Sequence, residues 1–310
     1  MFKIYSIGEG LGDCFLIEIG QKPIRILVDG RNGTQSNVVM ERLNEIIKSD
    51  GKIDILIVTH IDQDHIKGTI ELMKNKEEMF YGTIVVYNHV TKEVISYSQA
   101  EEYEEIIKDY IVLSTGKKKY PRILQEKIKI LSVDERKNFH IQIEQLQKEI
   151  PILTLLSPDK NGIDSVYEEY KIRRPKNKNG SSVKINRNSI VFMIEYKNKC
   201  ALFTGDAYLK NIEKLLSAST ELDTKVISII KMPHHGAKKN NKGIADFAKK
   251  HKCNKFIVTG ESDWYEKKHP DKEVMLEINE KLTNYVVYTK INIKNNEIES
   301  NIQSDEEITI

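Results

Sequence analysis

Cysteine is scarce in this 310-residue chain. Cys14, Cys200 and Cys253 are isolated from one another, odd in number, and form no Cys-x-x-Cys pair. That excludes a disulfide framework and fits a reducing, cytoplasmic compartment. Each cysteine reads as a small buried apolar residue. Long hydrophobic runs are missing too. No stretch approaches the ~18 continuous apolar residues that a bilayer span needs, so no membrane partner is expected. The opening "MFKIYSIGEGLGDCFLIEIG" is broken by Gly, Glu and Asp, where a secretory signal has a basic start and an unbroken apolar core. A large charge excess is also absent. The formal net charge is +2 with a pI near 8.2, so any nucleic-acid footprint must be local. No internal repeat of fixed period occurs.

What is present is an ordinary globular composition, 39% hydrophobic and 30% charged, long enough for a sizeable core. "FKIYSIG", "CFLIEIG" and "IRILVDG" are short apolar runs separated by Gly-containing turns, and they read as an antiparallel meander. A helix is expected over 36–49 with Ser36 as its N-cap. "IDILIVTH" reads as a fully buried strand, "IKGTIELMKN" as the start of a helix, and "GTIVVYNHV" as another strand. Residues 97–150 are charged with helical periodicity and are expected as a helical insertion. "PILTLLSP" returns to strand. Residues 159–187 read as a loop, and "KIRRPKNKNGSSVKINR" within it carries seven Lys or Arg and no acid.

The strand pattern then resumes. "SIVFMIEY" and "KCALFTGDA" form a hairpin through "KNK", and helix–strand units follow to "YVVYTKINI". The polar tail is expected as an edge hairpin or a frayed end. The fold class expected is α/β, a four-layer αββα sandwich with a helical insertion, in one domain over 1–310.

"VTHIDQDHIKG", residues 58–68, places His60, Asp62, Asp64 and His65 at the end of a buried strand. Ionisable groups there are costly unless compensated. Imidazole and carboxylate together suit a divalent metal; a solvated acidic loop with incidental histidines is the plainer alternative. Two later segments weigh against that alternative. "ALFTGDA" ends a strand at Asp206, with Gly205 permitting close backbone approach, and "IIKMPHHG" ends another at His234 and His235. Three apolar strands therefore end in metal-ligating residue types, where α/β proteins build sites.

These residues resemble the metallo-β-lactamase superfamily of hydrolases. Its His-x-His-x-Asp-His signature stands here as His60-Ile-Asp62-Gln-Asp64-His65, its bridging aspartate as Asp206 in "TGDA", and its last histidine ligand in "PHHG". Within the superfamily the chain looks most like the hydrolase domain of ComEC, the bacterial DNA-uptake channel. The shared features are "GLGDCFLIEIG", "ILVDG", "NRNSIVFMIEY", "TGD", "HHG" and His269-Pro270. The resemblance implies one or two divalent ions: zinc or manganese, with magnesium admissible. One site would use Asp64, His65 and His235 with Asp206 bridging, and the other His60, Asp62 and Asp206. Two departures matter. Asp62 stands where many members have histidine, and the third family histidine is absent, with Asn188 or Ser189 near its place. The His60 site is thus oxygen-rich and suited to harder ions.

His235 is assigned to metal and His234 to substrate or an outer shell, with the reverse assignment open. His269 is assigned to the substrate phosphate or leaving group, with helix capping as its alternative. The resemblance implies a metal-dependent hydrolase, foremost a phosphodiesterase or nuclease acting on DNA or RNA through metal-activated hydroxide. Asp64 would be the proton acceptor, with His234 and His269 catalytic. The basic run would grip a nucleic-acid backbone, with Lys184, Arg187, Asn188 and Ser189 at the substrate. Tyr167, Tyr170 and Trp264 are candidates for base stacking or for the core. His89, His140 and His251 read as surface or core histidines. A hydrolase of a small ester, lactone, thioester or small phosphodiester is the alternative, and a binding module that has lost activity is a second. Partner proteins from the same operon are a further expectation.

Overall fold

A computed structural model describes residues 1–10, 12–48, 51–88, 97–120, 127–137, 150–171, 182–260, 269–291 and 299–310. The first sheet comprises β1 (Phe2–Ser6), β2 (Phe15–Ile19), β3 (Ile24–Val28), β4 (Ile55–Ile57), β5 (Ile84–Val86), β6 (Ile111–Leu113) and β15 (Glu307–Thr309), in the order β15-β1-β2-β3-β4-β5-β6. It is antiparallel from β15 to β3, as the meander requires, and parallel from β3 to β6. The second comprises β7 (Lys129–Ser132), β8 (Ile152–Ser157), β9 (Val191–Tyr196), β10 (Lys199–Phe203), β11 (Ile229–Lys231), β12 (Lys255–Ile257), β13 (Val286–Tyr288) and β14 (Ile302–Gln303), in the order β14-β13-β12-β11-β10-β9-β8-β7. The β9–β10 hairpin turns on Lys197 and Asn198, both at positive φ (48° and 64°), the backbone that a two-residue turn needs to match strand twist.

Side-chain alternation builds the layers. Phe15, Ile17 and Ile19 of β2 share one core with Phe192 and Ile194 of β9, so the sheets pack face to face. Leu16 and Leu27 point the other way, toward α1 (Ser36–Ile47), α2 (Gln63–Asn75) and α3 (Ser98–Ile107). Val191 and Met193 point away from the second sheet toward further helices. The first two of these, in chain order, are α7 (Leu209–Leu216) and α8 (Thr220–Asp223). The remaining two are α9 (Ile244–Lys250) and α10 (Lys272–Lys281). The αββα sandwich expected from the sequence is the observed architecture. No described helix is long and apolar enough to cross a membrane.

Four expectations are corrected. Ser36 begins α1 instead of capping it, and α1 ends at Ile47. Among the described residues, 97–150 is not simply a helical insertion. It supplies an edge strand to each sheet, β6 and β7, besides α3 and α4 (Val133–Lys137). Runs as short as "IVL" are hidden by charged neighbours in a helical window. α4 is pinned by the buried Arg136, which donates to Glu221 Oε1 (2.6 Å) and Thr154 Oγ1 (2.8 Å) and pairs with Glu195. Residues 121–126 and 138–149 of that stretch lie outside the described residues.

The expected loop at 159–187 holds α5 (Lys160–Tyr170) and α6 (Ser182–Arg187). Asp159 caps α5 by accepting from the Gly162 amide at 2.8 Å, and Ile163, Val166 and Tyr170 bury its inner face. Most of the basic run, 172–181, lies outside the described residues, as do His89, His140 and Trp264. Finally, among its described residues the tail forms no hairpin of its own: β14 extends one sheet and β15 the other.

Candidate metal centre

The site lies where parallel strands of both sheets end. β3 runs into Asp29, β4 into Thr59 and His60, β10 into Asp206, β11 into His234 and His235, and β12 into Thr259. The Ile190 amide donates to the Thr59 carbonyl at 2.8 Å and ties the sheets together at this end. Helix α2 starts at once, and brings Asp64 and His65 in its first turn. Gly68 permits that close docking: a Cβ there would stand 1.7 Å from the Gly30 carbonyl oxygen. Gly205 (φ +50°) lets the next strand end approach likewise, since a Cβ would meet that of Ser189 at 2.9 Å.

The ligand atoms fall into two lobes about Asp206. In one, His65 Nε2 lies 3.5 Å and His235 Nε2 3.9 Å from Asp206 Oδ1, while Asp64 Oδ2 is 3.8 and 3.4 Å from the same two nitrogens. In the other, His60 Nε2 lies 3.6 Å from Asp206 Oδ2 and 3.8 Å from Asp62 Oδ2. His234 Nε2 joins this lobe, 3.5 Å from Asp206 Oδ2. The two neighbouring histidines are thus shared between the lobes. They do so through backbone: both residues are left-handed, at φ 45° and 54°, a strain of about 1–3 kcal/mol each that functional sites tolerate. His234 was expected to meet substrate or the outer shell. It also supplies a nitrogen to the lobe that the sequence leaves short of one.

Four atoms test whether the site suits a metal. His60 Nε2, His65 Nε2, His235 Nε2 and Asp206 Oδ1 are buried and lack a hydrogen-bond partner among the described residues. Buried polar atoms are almost always paired, and nitrogen and carboxylate oxygen converging on one volume is what a divalent ion requires. The residues fit.

The opposite ring nitrogens are held by residues that sequence reasoning did not assign. Asp29 Oδ2 lies 2.8 Å from His65 Nδ1 and accepts from Thr59 Oγ1 at 2.7 Å. Thr59 Oγ1 lies 3.0 Å from His60 Nδ1. Thr259 Oγ1 lies 2.8 Å from His235 Nδ1 and donates to Asp13 Oδ1 at 2.6 Å. Lys231, buried, pairs with Asp13 and donates to the Gly205 carbonyl at 3.1 Å. Such partners fix ring orientation and tautomer. Asp13 and Asp29 do stand in "GLGDC" and "ILVDG", but only the fold brings them to the imidazoles.

Burial, reinforced by His65, lowers His60 to about 3, so it is neutral through the physiological range. Burial raises Asp62 to about 7. Burial pushes Asp64 and Asp206 up as well, but the imidazoles, His65 first, outweigh it and hold both well below the usual carboxylate range. His65 and His235 show the reverse: burial lowers them, and the carboxylates, Asp206 first, raise them above the ordinary histidine value.

The expected substrate residues divide. Ser189 is buried and its Oγ accepts from the Asp206 amide at 3.2 Å. Asn188 Nδ2 donates to the Lys184 carbonyl at 2.8 Å. Both hold the protein's own backbone. Asn186, not singled out from the sequence, is the member of this run that reaches the site, with Nδ2 3.5 Å from Asp206 Oδ2. Lys184 is exposed and lies 3.4 Å from Glu169, and Arg187 sits over the Tyr208 ring at 5.7 Å. Tyr170 is core; Tyr167 packs at its margin. His251 is a core histidine bonded to the Lys225 carbonyl at 2.8 Å. His269 stands beside His234, ring centroids 5.2 Å apart, with Nδ1 3.2 Å from Asp271. Both rings line a cavity of about 800 Å³ that also takes in Asn186 and Tyr208.

No family model matches the chain, and no curated protein matches it. Solved structures do. Tm1679, a metal-dependent hydrolase of the β-lactamase superfamily, aligns over 94% of this chain and 96% of its own at 10% identity, with a TM-score of 0.50. Igni18, a metallo hydrolase from the archaeon Ignicoccus hospitalis KIN4/I, aligns over 90% and 91% at 11% identity and a TM-score of 0.46. The metallo-β-lactamase fold protein YhfI from Bacillus subtilis aligns over 83% and 85% at 12% identity and a TM-score of 0.45. At these identities the likeness is one of fold, and this chain has the metallo-β-lactamase fold.

Proposed function

We propose that the chain is a metal-dependent hydrolase of phosphodiesters, acting on DNA or RNA, and that it is functionally akin to the ComEC-like hydrolase domains. One observation carries the reading: the two oxygens of Asp206 each face a separate lobe of imidazole and carboxylate. A two-ion site suits a phosphodiester, whose charge on attacked and leaving oxygens needs cations on both sides. His65, His235 and Asp64 would hold one ion, and His60, His234 and Asp62 the other, with Asp206 between. Zinc or manganese suits the nitrogen-containing lobes, and the additional carboxylate Asp62 admits magnesium. When bound, such ions supply Lewis acidity and activate water near neutral pH.

The chain's own residues do the rest. Asp64 stays ionised and half-buried, and is assigned the proton of the attacking water. His269 lies at the cavity side of His234 and is assigned the proton given to the leaving oxygen. Asp13, Asp29, Thr59 and Thr259 hold the rings in place.

The test is hydrolysis of single-stranded DNA, duplex DNA and RNA with added Mn²⁺, beside metal content, for the wild type, Asp64→Ala and Asp206→Asn. Metal and cleavage in the wild type, both reduced in the variants, are expected. Bound metal without cleavage of any nucleic acid overturns the nuclease reading in favour of a small phosphodiester, ester, lactone or thioester.

A further inference from the structure

We infer that the cavity beside His234 and His269 is a pocket for one unpaired nucleotide, so that the substrate is a single strand, a strand end or a short oligonucleotide, not an intact duplex. The inference deepens the phosphodiester reading above and takes from it where the phosphate lies. At about 800 Å³ the cavity has the size of a site for a drug-sized ligand. A base stacked and paired inside a helix cannot enter such a pocket unless it is first extruded.

Charge and shape give the occupant's chemistry. The wall formed by α10 is acidic, yet each acid there is already engaged. Glu273 pairs with Lys238 at 3.3 Å, Glu277 with Lys281 at 3.3 Å, and Asp271 accepts from the Lys238 amide at 2.6 Å beside His269. Lys239 and Lys242 also line the cavity, are exposed, and have no carboxylate partner among the described residues. Lys238, Lys239 and Lys242 match Asp271, Glu273 and Glu277 in number, so the lining has no net formal charge; Lys239 and Lys242, without a carboxylate of their own, are the members that can pair with an anionic group of the occupant. Other lining residues offer apolar contact. Val183 is a large hydrophobic left 42% exposed at the cavity. Tyr208 lines the cavity, and the Arg187 guanidinium sits over its ring at 5.7 Å. Aromatic and guanidinium planes are what unpaired bases stack on. One further polar atom lies among the lining residues: the Oδ1 of the buried Asn241 has no hydrogen-bond partner among the described residues. An occupant with a flat apolar face, polar edges and a negative tail is a nucleotide, with its phosphate toward His234 and Asp206.

The test uses binding, so that it does not depend on turnover. The dinucleotide pdApdA and its analogue with one base removed, both made with a hydrolysis-resistant phosphorothioate linkage, are titrated calorimetrically into the Mn²⁺-loaded protein and its Tyr208→Ala and Tyr208→Phe variants. The pocket predicts that base removal and Tyr208→Ala each weaken binding about tenfold. Tyr208→Phe should restore it, and Tyr208→Ala should bind the analogue no more weakly than the wild type does. Equal binding of pdApdA by the wild type and Tyr208→Ala, or losses that multiply, overturns the inference. The same protein samples, given unmodified strands, separate it from the function it rests on. Base-dependent binding without hydrolysis of any phosphodiester leaves the pocket standing and removes the phosphodiesterase. Hydrolysis indifferent to the base and to strand pairing does the opposite.

Discussion

His65 Nδ1 lies 2.8 Å from Asp29 Oδ2, and both side chains are wholly buried. The carboxylate orients the ring so that Nε2 faces Asp206 and Asp64. Replacing Asp29 by Asn keeps the size and removes the charge. Metal affinity is expected to fall about 10- to 100-fold, read by competition with a chromogenic chelator. Unchanged affinity would leave Asp29 a packing residue only.

Lys231→Met removes the cation in direct contact with the buried Asp13 and leaves it only the more distant imidazoles of His235 and His65, at 3.4 and 3.9 Å. The expected cost is about 3–5 kcal/mol of stability, measured by urea denaturation of the metal-free protein. A loss under about 1 kcal/mol would show that water or a proton on Asp13 takes over.

Gly68→Ala places a methyl against the Gly30 carbonyl. Because backbone faces backbone there, no side chain can yield. Helix α2 must shift, and with it Asp64 and His65. Bound metal and thermal stability are expected to fall together, by metal analysis and calorimetry; a stable variant with full metal content would refute this docking.

Metal binding should release protons. In the empty site Asp62, raised to about 7, holds its proton below that pH, and His65 and His235, raised by the surrounding carboxylates, keep theirs to higher pH than an ordinary histidine does. His60, lowered to about 3, contributes none. An entering ion displaces these protons, so affinity falls as pH drops through 7. Calorimetry in two buffers of unequal ionisation enthalpy should find more protons released at pH 6 than at pH 8. Equal release at both values would contradict the assignment of Asp62 as a ligand.

Much of this was legible in the sequence, for physical reasons. The apolar runs before His60, Asp206 and His234 are strands because little else buries "ILIV" or "CALF" on both faces, and the ligand types follow at their ends. The meander and the four layers came from the same patterning. The strands β6 and β7 were hidden because three or four apolar residues among charges look like one turn of a helix. The division of His234 and His235 between lobes depends on two left-handed residues in succession, which composition does not announce. Asp13 and Asp29 acquire their meaning from strand ends that meet only after folding.

The most direct measurement is the metal content of the wild type and Asp206→Asn, by elemental analysis after loading with Mn²⁺ or Zn²⁺ and exhaustive removal of free ion. With His60→Ala as control, the account predicts roughly one equivalent lost in His60→Ala and a deeper loss in Asp206→Asn, because only Asp206 serves both lobes. Metal content in Asp206→Asn equal to that of the wild type would contradict it.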